Sequence, residues 1–322
     1  MRALRAALFA AAAGVLLGWP AVPAGAFGSG ERGTAAAQFL KLSPGARDAA
    51  MGSAFSAVAD DVTASFYNPA GLGSIRGIEV AGMHNSHFQG FNQNFGAAAV
   101  PILSWVDTRR SRNDLGVLAV SLASLTVDGI ERRGVVETDS PDGTFGAGDF
   151  AYGLAYGVRV SGGWHAGLGL KVLDLSIDSA HARSAAFDAG VLRREGRWSC
   201  AAGFRNMGGR VRFKTASDPL PFAGYAGAGF FPAKGWTTAI ELRLPRDNDV
   251  GYAVGGEWRR DIVEGLSGAL RAGYNSATAE AEGIGGWTMG AGVAVRGLEL
   301  DFAWVPYGDL GHTFRYAFLY KF

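Results

Sequence analysis

Residues 298–322 read LELDFAWVPYGDLGHTFRYAFLYKF. Leu298, Leu300, Phe302 and Trp304 share one parity, and Glu299 and Asp301 sit on the other. After a turn at Pro306–Gly311 the pattern resumes: Phe314, Tyr316, Phe318, Tyr320 and Phe322 oppose Thr313, Arg315, Ala317, Leu319 and Lys321. A period of two places these sets on opposite faces of an extended chain, so the stretch is a hairpin with one apolar face and one charged face. Upstream the arrangement recurs. Trp236, Thr238, Ile240, Leu242 and Leu244 alternate with Glu241 and Arg243, and Tyr252, Val254 and Trp258 alternate with Glu257 and Arg259.

A soluble β-sandwich also alternates, with its polar face in water. Three features favour a membrane barrel instead: an export segment, aromatic residues near strand ends, and a final strand closing on Phe322. Trp105, Trp164, Trp198, Trp236, Trp258, Trp287 and Trp304 are spread over many strands, as interfacial girdles require. Alternating runs between turn signals predict about fourteen strands of the ~10 residues a tilted spanning strand needs. They fall near 77–88, 92–105, 115–127, 149–161, 163–178, 182–194, 196–206, 222–231, 235–245, 249–260, 263–275, 286–296, 298–306 and 312–322. The expected fold is therefore an all-β outer-membrane protein, an antiparallel barrel of about fourteen strands over 77–322. One run slips phase: Leu168, Leu170 and Val172 share a parity, then Leu173, Leu175 and Ile177 take the other. One inserted residue, a β-bulge, would produce this, either to fit neighbouring strands or to open the wall sideways.

Residues 1–26 read as a signal peptide. Arg2 and Arg5 form a basic start, Ala6–Trp19 an apolar core shorter than a spanning helix, and Ala24-Gly25-Ala26 a cleavage site. The whole chain carries +1, and removing those two arginines leaves −1, which gives no support for nucleic-acid binding. Charged residues are only 18% of the chain and Gly numbers 49, an unusual mixture for a soluble enzyme. Cys200 is the one cysteine, so no internal disulfide can form, and it reads as a small hydrophobe in a strand. His84-x-x-His87 lacks metalloprotease spacing, and no metal or cofactor site is expected. No nucleophile elbow, phosphate loop or dinucleotide fingerprint occurs, so the chain is not read as an enzyme. The glycines fall at strand spacing and read as close packing at barrel bends.

Residues 27–76 differ from the strand array. Their centre, Gly45–Gly73, reads GARDAAMGSAFSAVADDVTASFYNPAGLG, too small-residue-rich to make a core of its own. Short helices are expected around Arg47–Met51 and Asp61–Phe66, with Asp60 or Asp61 accepting from first-turn amides. Asn68-Pro69 reads as a cap with Pro at the first helical position, and Gly71 and Gly73 let the chain turn into the first strand. The expected role of 27–76 is a plug. GAR-x-x-AMG-x-AF-x-AVADD followed by Tyr67-Asn68-Pro69-Ala70-Gly71-Leu72 resembles the N-terminal signature of the PorV/PorQ family, relatives of the FadL-type outer-membrane transporters. Trp304–Tyr316 resembles that family's closing hairpin, Y-x-P-x-G-x-LG-x-THR, although Phe314 stands where the family has His. Between these ends the likeness is one of strand pattern only. The resemblance implies a fourteen-stranded outer-membrane barrel with an N-terminal plug. It also implies either passage of hydrophobic molecules through the wall or service in type IX secretion, binding C-terminal signal domains of exported cargo.

Glu241, Arg243, Glu257, Arg259, Arg271, Arg296, Glu299, Asp301 and Arg315 fall on the predicted inner face. Their mixed signs suggest a ladder of ion pairs that stiffens the lumen or docks the plug, with Arg47, Asp60 and Asp61 as partners; a selective pore would carry one sign. Tyr316, Phe318, Tyr320 and Phe322 are the expected signal to the barrel assembly machinery. The expected surroundings are outer-membrane lipid, with a hydrophobic ligand or a secreted cargo protein as partner; a purely structural barrel is the third reading. Segments 129–148 and 206–221 read as long loops.

Overall fold

A computed structural model describes residues 32–102, 115–135, 139–279 and 284–322. The predicted signal segment and Trp105 lie outside the described residues. Fourteen strands close into one antiparallel barrel: β1 (Glu79–Ser86), β2 (Asn92–Pro101), β3 (Val117–Arg132), β4 (Gly143–Arg159), β5 (Trp164–Ile177), β6 (Ala180–Glu195), β7 (Trp198–Gly208), β10 (Ala223–Phe230), β11 (Trp236–Pro245), β12 (Gly251–Val263), β13 (Leu266–Asn275), β14 (Trp287–Val295), β15 (Leu298–Pro306) and β16 (His312–Lys321). Each pairs with its sequence neighbour, and β1 closes on β16 with Glu79 opposite Lys321. Closure leaves no open sheet edge, which is what lets strands cross hydrocarbon with every ladder bond made. Two further strands, β8 (Arg210–Phe213) and β9 (Ala216–Pro219), form a separate hairpin between β7 and β10. β1 starts and β16 finishes at one end of the barrel, here the terminal end; the other is the far end.

The outward parity carries the large apolar side chains. Leu122, Leu154, Leu170, Val172, Ile240, Leu242, Leu270, Leu300 and Phe318 are all exposed. No water-facing surface of this extent is stable, so the exterior is built for hydrocarbon. Aromatic rings cluster at both borders of this band. Trp198 stacks on Phe230 and Trp236 on Trp258 near the terminal end; Tyr252, Tyr274 and Trp287 form a chain near the far end. Cys200 is exposed on the outer face of β7.

The core is inside the barrel. Residues 45–76 bring the large side chains, and Met51, Phe55, Val58, Val62, Tyr67, Leu72 and Ile75 are all at most 2% exposed. The wall answers mainly with small ones, Ala81, Ala97, Ala99, Ala119, Ala155, Ala239 and Ala253. Burying each large plug side chain stabilises the seated state by ~1.5–3 kcal/mol. Helices α1 (Ala46–Ala50) and α2 (Ala64–Tyr67) and a 3₁₀ stretch at Pro69–Ser74 form this interior segment.

Two expectations change. The phase slip in 168–177 is not a bulge, because β5 pairs without a break with both β4 and β6. Leu173 and Leu175 point inward because the inner face itself turns apolar there, packing against Phe39 and Leu40. A register shift lies instead in β7, where Arg205 and Asn206 together oppose Asp188 and Asn206 has φ 58°. The loops are also shorter than read: β3 and β4 extend into 129–148, and 206–221 contains the β8–β9 hairpin.

Candidate functional site

The plug is held to one side of the wall by a continuous charge network. Arg47 of α1 donates from Nε to Glu257 on β12 (2.9 Å) and from Nη1 to Asp60 (2.7 Å) and Asp61 (3.1 Å). Arg271 on β13, with a fully buried side chain, donates to Glu257 (2.6 Å), Glu299 (2.9 Å) and Asp301 (2.6 Å). Arg259 completes the cluster on Glu299. Opposite signs therefore meet throughout, and among the described residues no ring of one charge lines this interior. Arg296 is not part of it: it lies exposed in the β14–β15 turn at φ 47°.

A second anchor is Glu241. One carboxylate oxygen accepts the amides of Phe55 (3.2 Å) and Ser56 (2.9 Å), the other accepts Arg205 and Arg243, each at 2.9 Å. Its charge is thus spread over two peptide donors of the plug and two wall cations. Glu79 takes the Val62 amide (2.9 Å) in the same manner. Sequence reading picked Glu241 but not Glu79, Arg205 or Arg194, whose guanidinium reaches Ala59 O (2.9 Å). Isolated charges on long strands give no hint which of them faces a plug carbonyl or amide.

Within the plug motif, Asp61 Oδ1 accepts the Thr63 amide (2.9 Å), bracing the turn before α2, while Asp60 serves Arg47. Asn68 is fully buried. Its Oδ1 caps Ala70 N (3.1 Å), its amide donates to Ser56 O (3.1 Å) and Val191 O (3.3 Å), and Pro69 follows where no donor is needed. Ala70 and Gly71 are buried, and a Cβ on Gly71 would lie 2.6 Å from Ala59 O. Asn68 therefore joins plug to plug, plug to wall and the start of the 3₁₀ turn through one side chain.

Asp48 is buried under Tyr67, whose hydroxyl donates to it. Burial pushes this carboxyl up to about 6, with the Tyr67 bond and the Arg315 charge pulling the other way and Asp61 adding a little upward. The seated plug then holds a proton that the released chain gives up near 3.8. Its contribution to seating is complete below that value and is lost as pH rises through about 6. We expect stronger protease protection of 45–76 at pH 5 than at pH 7.5, and a smaller difference in Asp48→Asn, which keeps an acceptor for Tyr67. Equal protection at both pH values in the native chain would contradict this.

On the far side of the plug is a cavity of about 410 Å³. Its floor is Ala49, Ser53, Phe66 and Tyr67, and its walls are the far ends of β7 and β10–β16, with Tyr252, Val305 and Tyr307 among them. Its cover is the segment 40–43, where Leu40 and Leu42 face in. That segment is tied down by Lys41 on Asp247 (2.6 Å), Gln38 on Asp247 (2.8 Å) and Ala36 N on Pro219 O (2.9 Å). The β7 kink borders the cavity. β7 pairs with β10 only up to Arg205 opposite Ala223, and beyond it Met207 and Gly208 stay with β6. Asn206 bridges the resulting seam by donating to Pro221 O (3.3 Å), and it also accepts from Lys171 (2.9 Å), itself paired with Asp188 (2.7 Å).

The fold is that of the FadL-type barrels. The chain is similar to the toluene transporter TbuX of Ralstonia pickettii, at 11% identity over 87% of this chain and 99% of that one, with a TM-score of 0.58. It is similar to the Pseudomonas putida toluene transporter TodX (10% identity, 86% and 96% covered, TM-score 0.58) and to a Pseudomonas aeruginosa FadL homologue (11%, 87% and 99%, 0.56). Likeness at this identity is one of fold. The model of an uncharacterised protein family, UPF0164, matches residues 20–171. No curated protein matches.

Proposed function

We propose that this protein is an outer-membrane transporter that takes an apolar molecule from the far end into the cavity above the plug and releases it sideways through the β7–β10 seam. The observation that carries the reading is the coincidence of cavity and seam: Arg205, Asn206, Pro221 and Ala223 belong to both. The plug blocks a straight passage along the axis, and an apolar solute gains by leaving into hydrocarbon rather than water. The likeness in fold to two toluene transporters supports an apolar solute. On this reading residues 1–26 export the chain, Tyr316, Phe318, Tyr320 and Phe322 present the last strand to the assembly machinery, and the protein carries out no catalysis. A secretion role, implied by the PorV/PorQ likeness, would instead use the far-end loops and the β8–β9 hairpin to hold cargo.

The test is to fasten the seam. In a Cys200→Ser background, Asn206→Cys and Pro221→Cys are bridged by a short bis-methanethiosulfonate, which joins each thiol through a reducible disulfide, and uptake of toluene and a long-chain fatty acid is followed in whole cells. The bridged protein should lose at least about tenfold of the uptake that the same unbridged variant shows, a barrier change of ~1.4 kcal/mol or more, with recovery on reduction. Uptake untouched by bridging sinks the sideways route. A native protein that promotes uptake of neither probe sinks transport itself.

A further inference from the structure

The lipid-facing surface at the terminal end repeats one arrangement. Trp164, Trp198, Trp236 and Trp258 stand on outward positions near the ends of β5, β7, β11 and β12. A cation accompanies each. The Arg193 guanidinium lies 5.4 Å from the Trp164 ring, Arg197 precedes Trp198 in the β6–β7 turn, Lys234 stands two residues before Trp236, and Arg260 two residues beyond Trp258 on the same face. One or two residues of strand move a side chain by about 3–7 Å, so these cations sit outside the indole ring, at the depth of head-group phosphates.

On the barrel wall, exposed arginines without a carboxylate partner gather at this rim. Arg193 and Lys234 are matched by Glu195 and Asp261. Arg197, Arg260 and Arg296 are exposed and have no carboxylate partner among the described residues, and the nearby exposed acid Glu264 is a single charge against them. At the far end Arg132, Arg133 and Arg183 are neutralised by Asp178, Glu131 and Asp174, and the exposed cations with no carboxylate partner among the described residues, Arg210, Arg212 and Lys214, stand on the β8–β9 hairpin, a sheet separate from the barrel wall. Unmatched guanidinium groups beside a tryptophan girdle are a match for a planar array of phosphates, to which arginine binds bidentately.

We propose that the terminal-end rim binds the head groups of anionic phospholipids, with Arg197, Arg260 and Arg296 on the phosphates and the tryptophans at the level of the glycerol. Arg260 points sideways from the wall, on the parity of Trp258, rather than along the barrel axis, which selects a lipid over a soluble acidic protein docking end-on. The rim then fixes the vertical position of the barrel and orders an annulus of lipid next to the seam's own wall.

The full chain is placed in nanodiscs of equal phosphatidylglycerol and phosphatidylcholine, then released into mild detergent, and the lipids that stay bound are counted by native mass spectrometry. Phosphatidylglycerol should be retained over phosphatidylcholine by about tenfold, since each arginine near an anionic surface attracts it appreciably. R197Q/R260Q/R296Q should bring the ratio near one without changing the unfolding temperature, because all three side chains are exposed. The proposal is overturned by equal retention of the two lipids in the native chain, by a triple variant that keeps the preference, or by R210Q/R212Q/K214Q at the far end abolishing it equally well.

Discussion

Arg271→Ala should lower the stability of the plugged barrel by about 3–5 kcal/mol, the cost of leaving buried charge without its partner. Arg47 also serves three carboxylates, but Arg271 does so with a side chain wholly shut off from solvent. Glu257 lies on β12 and Glu299 and Asp301 on β15, and all three are buried, so they approach one another only because one planar guanidinium on β13 divides its donors among them. Without it, Arg47 and Arg259 remain for three acids. Arg47 holds Glu257 and the plug's own Asp60 and Asp61, so the loss should propagate to the plug. Urea unfolding in detergent and proteolysis of 45–76 should both report it. Arg271→Lys should fall between, since an ammonium keeps the charge but not the three-way geometry. In an Arg47→Ala, Arg271→Ala cycle the two effects should be less than additive, since both act through Glu257. A loss below about 1 kcal/mol for Arg271→Ala would mean that water or relaxed side chains solvate the acids and that the network does not hold the plug.

Much of this architecture is legible from period alone. Alternation over 236–322 places every strand from β11 to β16 and assigns their faces, because lipid and lumen differ so sharply that each residue has one admissible side. Where both faces are apolar the signal fails. β5 shows this: Leu173 and Leu175 are inward and still hydrophobic, since they meet Phe39 and Leu40 from a segment far earlier in the chain. Period reads such a place as a slip. The register shift at Arg205–Asn206 is silent because a polar pair in a strand looks like one more inner face. Arg296 fails for a related reason: one position beyond β14, parity still applies on paper while the backbone has already turned.

The cavity was beyond such reading altogether. Its lining comes from the cover segment, the plug and the far ends of eight strands, positions that no local pattern groups. Asn68 and Pro69 were visible because capping is a local matter, governed by residues two apart. The acids that grip plug amides, Glu79 and Glu241, act over separations of 17 and 185 residues, and only closure of the barrel brings them there. The charge ladder thus has two layers of meaning. Neighbouring strands supply the pairs that satisfy one another, and the plug takes the acceptor capacity left over.

Gly167→Leu combined with Gly273→Leu should expel the plug and leave the barrel standing. These glycines look like strand spacers in the sequence, but each belongs to a cross-strand glycine pair, Gly157 with Gly167 and Gly255 with Gly273. The plug backbone lies directly on both pairs. A Cβ at 167 would be 2.2 Å from Ala70 N, one at 157 2.3 Å from Pro69 O, one at 255 2.3 Å from Met51 O, and one at 273 2.2 Å from Gly52 N. Main chain cannot rotate aside as a flexible side chain would, so a leucine displaces the segment or bends the wall. The wall is closed by ladder bonds around its whole circumference and is the stiffer of the two. Overpacking of this kind costs about 1–3 kcal/mol or more per site, comparable with burial of one or two plug side chains. Protease should then cut within 45–76 while the barrel retains its cooperative unfolding. Planar bilayers should show ion conductance that the native chain lacks, because a lumen of fourteen strands is too wide for wall side chains alone to fill. Gly96→Leu is the control, since a Cβ there meets nothing within 4 Å. A closed, protease-resistant double variant would mean the plug can ride over the wall, and its seating would then rest on the charges rather than on this backbone contact.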